Sequence, residues 1–95
     1  MTNGLTAQSL SNRAAFLHKL AARLRETARH DSMTNQVDRA ILDITEAETW
    51  LERQKIGAQP GNLNLASAAL LLAQHRLDRI NSHLATYGPD AMLVE

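Results

Sequence analysis

Apolar residues recur in three segments of the chain at alternating gaps of three and four positions, with polar residues between them. This spacing places the apolar residues on one face of an α-helix, so it predicts three amphipathic helices over about residues 9–30, 33–56 and 62–87. The stripes consist of Leu10, Ala14, Leu17, Ala21, Leu24 and Ala28; of Met33, Val37, Ala40, Ile44, Ala47 and Leu51; and of Leu63, Ala66, Leu70, Ala73, Leu77, Ile80, Leu84 and Tyr87.

Polar residues and helix breakers mark the expected helix ends. We expect Gly57 to end the second helix in the left-handed conformation, with Pro60 shortly after it, and Gly88 followed by Pro89 to end the third helix. Residues 1–8 and 88–95 are expected to be flexible tails. The candidate N-caps are Ser9 and Ser11 for the first helix, Asp31, Ser32, Thr34 and Asn35 for the second, and Asn62 and Asn64 for the third.

The first two stripes, and the first half of the third, alternate a large residue with alanine. Such seams let helix axes approach closely, because little side chain separates the backbones. The short connections favour antiparallel neighbours. We therefore expect one all-α domain over residues 1–95, either a three-helix antiparallel bundle or a long helical hairpin with an extra N-terminal helix.

The balance between basic and acidic residues limits the classes of partner that the chain is expected to bind. Ten basic residues balance ten acidic ones, which argues against strong electrostatic binding to nucleic acid or to an anionic membrane. The longest apolar stretch, residues 63–73, is far shorter than the ~20 residues that a membrane span needs. The N-terminal residues lack the basic region and apolar core of a secretory signal, and the chain has no cysteine, so we expect a cytoplasmic protein.

Residue spacings typical of catalysis or metal binding are missing from the chain. No two of its four histidines are four residues apart, as a helical zinc pair requires, and the Glu-x-x-His motif of di-iron bundles is absent. His75 and Asp78 are three apart and could share a local hydrogen bond, but the helix offers no well-placed nucleophile. We therefore expect no catalytic, cofactor-binding or metal-binding residues.

Large apolar residues that lie off the stripes are the most informative about partners. Leu65 and Leu72 are expected to be covered by a neighbouring helix of the bundle, as are Phe16 and Leu20, which widen the stripe of the first helix. Leu71, Leu42 and Trp50 cannot all point inward together with the stripes, and they favour an interface with a copy of the chain or with another protein. The candidate partner-binding residues are Leu42, Trp50, Leu65, Leu71 and Leu72.

The resulting hypothesis is a non-catalytic helical module that binds and inhibits or chaperones a partner protein, and that itself forms a dimer. Immunity proteins, antitoxins, secretion chaperones and phage-encoded inhibitors, from bacteria or phages, are examples of that class. One alternative is a dimeric nucleic-acid-associated regulator that uses the basic first helix, with candidate anion contacts at Lys19, Arg23, Arg25 and Arg29. A weaker alternative is a small helical enzyme whose site is shared across a dimer.

Overall fold

The computed structural model describes residues 5–93, which form three α-helices and contain no strand. Helix α1 spans Ala7–Thr27, α2 spans Asp31–Ile56 and α3 spans Pro60–Tyr87. Each begins two residues earlier than the apolar pattern predicts, and α1 also ends three residues earlier. The predicted all-α fold class is confirmed.

Contacts between helices fix their relative directions. From α1 to α2, His18 contacts Glu48 and Arg25 contacts Asp38, so residue numbers rise along one helix as they fall along the other. Arg76 of α3 contacts Asp43 of α2. The connection between α2 and α3 is short, so these two helices run antiparallel to each other. Every helix packs against both others, giving a three-helix antiparallel bundle that measures 45 × 26 × 21 Å.

The core consists of the three predicted stripes, because each stripe faces the bundle axis. The alanines Ala21, Ala40, Ala47, Ala66 and Ala73 have no exposed surface (0%). Their small side chains let the helix backbones approach closely along the seams. The third stripe departs from the pattern at its two ends, since Leu63 and Leu84 are half-buried and Tyr87 is exposed at the end of the bundle.

The caps of α1 and α2 differ from the predicted ones. Thr6 caps α1, and its hydroxyl accepts a hydrogen bond from the Ser9 backbone N–H, while the Ser9 hydroxyl accepts one from the Thr6 N–H. This reciprocal capping box places the helix start before both predicted serines. His30 caps α2, because its ring Nδ1 accepts a hydrogen bond from the Ser32 N–H.

The ends around the α2–α3 connection also differ. Gly57 caps α2 in an extended conformation (φ −155°) instead of the left-handed one. Helix α3 begins at Pro60. Proline lacks a backbone N–H, but an N–H at the first helical position has no acceptor within the helix, so no helical hydrogen bond is lost. Asn62 is therefore inside the helix, and its buried side-chain amide donates to the Gly57 carbonyl. Gly88 ends α3 with φ 88°, a conformation that side chains other than glycine rarely adopt.

The segment after α3 packs against the start of α2, which differs from the flexible tail expected for residues 88–95. The Pro89 carbonyl accepts hydrogen bonds from the backbone N–H groups of Arg29 and His30. The Leu93 N–H donates to the Ser32 hydroxyl at 2.7 Å, and the Leu93 side chain is buried. Specific contacts therefore hold residues 89–93 in place. The expected tail residues 1–4 and 94–95 lie outside the described residues.

Candidate interaction surface

An outer groove runs between α2 and α3 on one side of the bundle. The contact of Arg76 with α2 shows which residues of the two helices face this groove. The Arg76 guanidinium donates from Nε to Asp43 Oδ2 and from Nη1 to Gln36 Oε1, each at 3.0 Å. Gln36 and Asp43 are seven residues apart, so they lie on the same flank of α2. Helix α1 contacts the other flank of α2, through Asp38 and Glu48.

Three of the five predicted partner-binding residues share this groove. Trp50 follows Asp43 by seven residues, so it lies on the same flank of α2. Leu72 and Leu65 precede Arg76 by four and eleven residues, so both lie on the matching flank of α3. We call the surface formed by Trp50, Leu65 and Leu72, with Asp43 and Arg76 beside them, the α2·α3 face.

The apolar side chains of the α2·α3 face reach solvent. Leu65 and Leu72 are each 46% exposed, so the expectation that a neighbouring helix covers them is wrong. The reason is that α1 occupies the opposite side of the α2–α3 pair. Trp50 is half-buried against the edge of the core, and the Arg53 guanidinium carbon lies 4.7 Å from its ring centroid.

The other two predicted partner-binding residues lie elsewhere. Leu42 is exposed and precedes Trp50 by eight residues, which places it about 80° around α2. Leu71 is exposed and lies about 100° around α3 from Leu72. Phe16, expected in the core, is 63% exposed. It lies about 160° around α1 from His18, which contacts α2, and therefore points away from α2.

The Asp43–Arg76 pair is the best-covered ion pair among the described residues, with side-chain exposures of 16% and 25%. The amino-acid sequence alone does not reveal this pair, because an arginine in a polar flank carries no signal of its partner on another helix. The pair joins α2 to α3 at one end of the apolar groove. It thus fixes the relative position of the two helices on which Trp50 and Leu72 lie.

The four candidate anion-binding cations do not form a common surface. Arg25 binds Asp38 through two contacts of 2.7 and 3.4 Å, and Arg29 lies 3.8 Å from Asp90. The hydrogen bond from Arg25 lowers the pKa of the Asp38 carboxyl. Lys19 and Arg23 are four residues apart and share another side of α1, at least about 120° around the helix from Arg25. Two of the four cations thus already face carboxylates, and the arrangement gives no basic stripe.

The polar groups near the end of α3 offer little chemistry. The His83 Nε2 atom is buried and has no hydrogen-bond partner among the described residues, and the His83 ring lies 4.8 Å from the Tyr87 ring. No hydrogen bond joins His75 to Asp78 within residues 5–93. No group of three or more histidine, aspartate or glutamate side chains in that range could hold a metal ion.

Comparisons with known proteins add no relative to this picture. No protein-family model, no curated protein and no solved structure matches the chain. None of the helices within residues 5–93 is long and apolar enough to cross a membrane. Function must therefore be argued from the geometry and chemistry of the bundle.

Proposed function

We propose that the chain is a non-catalytic protein–protein interaction module that captures a partner protein on the α2·α3 face. The observation that carries the proposal is the exposure of Leu65 and Leu72 beside the half-buried Trp50. These three large apolar side chains lie on α2 and α3, on the two sides of one groove. A tryptophan within an apolar patch is typical of the residues that dominate the energy of protein interfaces.

The buried Leu93 closes one end of this groove, next to Gln36 and Leu72, and the bundle does not need the rest of the groove for its own core. The buried stripes of α1, α2 and α3 already enclose one another, and α1 packs on the other side of the α2–α3 pair. Large exposed apolar residues that cluster on one side are a common feature of binding surfaces, whereas scattered ones need no explanation. Leu42 and Ile56 are of the scattered kind, since each lies outside the groove.

The rigidity of the groove also favours binding. Trp50, Leu65 and Leu72 lie on long helices, and the Asp43–Arg76 pair fixes the two helices beside them. A preformed surface loses little conformational entropy when a partner binds. A module that covers the active or binding site of its partner would inhibit that partner. A module that covers an aggregation-prone surface of its partner would act as a chaperone. The cysteine-free composition suits capture in the cytoplasm of a bacterium or phage-infected cell.

Affinity capture from a lysate of the source organism, with mass-spectrometric identification, tests the proposal. We expect the wild type to retain a protein partner and Leu72→Glu to lose it. Ile56→Glu is the matched control, because Ile56 is 84% exposed and lies about 120° around α2 from Trp50. Retention of nucleic acid alone, of no partner, or of the same partner by Leu72→Glu would contradict the proposal.

Self-association is a second candidate role, favoured by Leu71 and Phe16. Both are more than half exposed, and both lie away from the α2·α3 face. A closed two-fold dimer would bury these two side chains against a second copy. Analytical ultracentrifugation is expected to give twice the monomer mass for the wild type and a lower mass for Leu71→Glu. A monomer in both cases would exclude this role.

A further inference from the structure

Charged residues border the α2·α3 face, and most of them are cations. Asp43 and Arg76 pair with each other. Beyond that pair, helical spacing places Arg39 and Arg53 on the same side of α2 as Trp50, against the single carboxylate of Glu46. The apolar groove therefore has a border with a net positive charge, although the whole chain is neutral.

This border argues against a second copy of the chain as the occupant of the groove. A two-fold dimer through the α2·α3 face would bring two positive borders together. Opposed like charges at an interface are unfavourable and exclude wrong partners. The same border attracts a partner with carboxylates around an apolar strip.

The shape of the groove indicates the form of that partner. Leu65 and Leu72 are seven residues apart on α3, a distance of about 10.5 Å, which is two helical turns. A groove between two helices with apolar positions at this spacing accepts the apolar face of a third helix. The Arg53 guanidinium over the Trp50 ring would meet a carboxylate at the edge of such a helix.

We infer that the α2·α3 face binds an acidic amphipathic helix of the partner protein, with its apolar stripe on Trp50, Leu65 and Leu72 and its carboxylates on the arginine border. This inference rests on the proposed function and names the chemistry of the partner. An anionic membrane shares part of that chemistry. It fits less well, because a flat bilayer does not enter the groove between α2 and α3, where Leu65 and Leu72 are each only 46% exposed.

Two synthetic peptides test the inference directly. Each has about three heptads with leucine on one face and no tryptophan; one carries glutamate at the flanking positions and the other carries lysine. Trp50 is the only tryptophan of the chain, so its fluorescence reports binding at the face. We expect the acidic peptide to bind at least about tenfold more tightly than the basic one, ~1.4 kcal/mol. Salt should reduce the difference.

Charge reversal supplies the matched variants. Arg39→Glu should remove most of the preference for the acidic peptide, whereas Arg13→Glu, the same change on an exposed part of α1, should leave it intact. Circular dichroism checks that both variants fold. The comparison of the two peptides on the wild type stands even if Arg39→Glu does not fold.

Three results would overturn the inference. The first is no binding of the acidic peptide, including the case in which the protein binds only vesicles of phosphatidylcholine and phosphatidylserine. The second is equal affinity for both peptides, or a preference for the basic one. The third is a dimer that shields Trp50 from solvent. If both peptides bind equally and Leu72→Glu loses both, the acidic chemistry is refuted while the proposed binding role of the face survives.

Discussion

Replacing Ala73 with leucine tests whether the bundle depends on close helix seams. Ala73 lies near the middle of α3 and has no exposed surface (0%). The added carbons would contribute about 0.8 kcal/mol each if the core had room for them. Since the seam is closed, we expect them to push the helices apart and to lower the free energy of unfolding by about 1–3 kcal/mol.

The expected loss is large for a protein of this size. A chain of 95 residues is typically stable by about 5–14 kcal/mol, so a change of ~2 kcal/mol is readily measured. Urea unfolding followed by circular dichroism should show a lower midpoint with an unchanged slope. In thermal unfolding, each kcal/mol corresponds to a decrease in Tm of about 4–8 °C.

The matched control for this substitution is Ala85→Leu, which makes the same change at an exposed position of α3. We expect its free energy of unfolding to stay within about 0.5 kcal/mol of the wild type, because exposed substitutions away from special features have small effects. If Ala73→Leu behaves like Ala85→Leu, or stabilises the protein, the close-seam explanation of the alanine pattern is refuted.

Three further predictions concern the core and the ion pairs. Leu77→Ala should lower the free energy of unfolding by about 2–5 kcal/mol in urea, because Leu77 is fully buried; a smaller loss would mean a looser core. A double-mutant cycle with Asp43→Ala and Arg76→Ala should give a coupling of about 1 kcal/mol, since the pair is partly covered; no coupling would contradict the contact. The hydrogen bond from Arg25 lowers the folded-state pKa of the Asp38 carboxyl. The contribution of the ionised Asp38 to the free energy of unfolding should therefore be complete above about pH 4 and should be lost as the pH falls through the lowered pKa. Unfolding measured against pH should show a weaker acid dependence for Asp38→Asn, and an unchanged dependence would refute this assignment.

The helices and the core were predictable because burial imposes a period that the sequence displays directly. Every buried residue of α1 and α2 belongs to a stripe of alternating three- and four-residue gaps. The helix ends were less predictable, since several polar residues at each end could cap the first turn. At the start of α2, for example, the ring of His30 takes that role in place of the serine, threonine or aspartate that follow it.

The interaction surface was only partly predictable, for a physical reason. Helical spacing tells which residues leave the core stripe: of the three that it singled out, Leu71 and Leu42 are exposed, whereas Trp50 is half-buried against the core. It does not tell on which side the third helix packs. The expectation that a neighbouring helix covers Leu65 and Leu72 was therefore wrong, because α1 packs on the other side of the α2–α3 pair.

The sole tryptophan allows the most direct test of the proposed binding role. Protein labelled with 5-fluorotryptophan gives one fluorine NMR signal, from Trp50. When the captured partner is added, we predict a shift of this signal and a loss of its sensitivity to solvent, because the partner covers the α2·α3 face. A partner that binds while the signal stays unchanged in position and in solvent sensitivity would contradict the account.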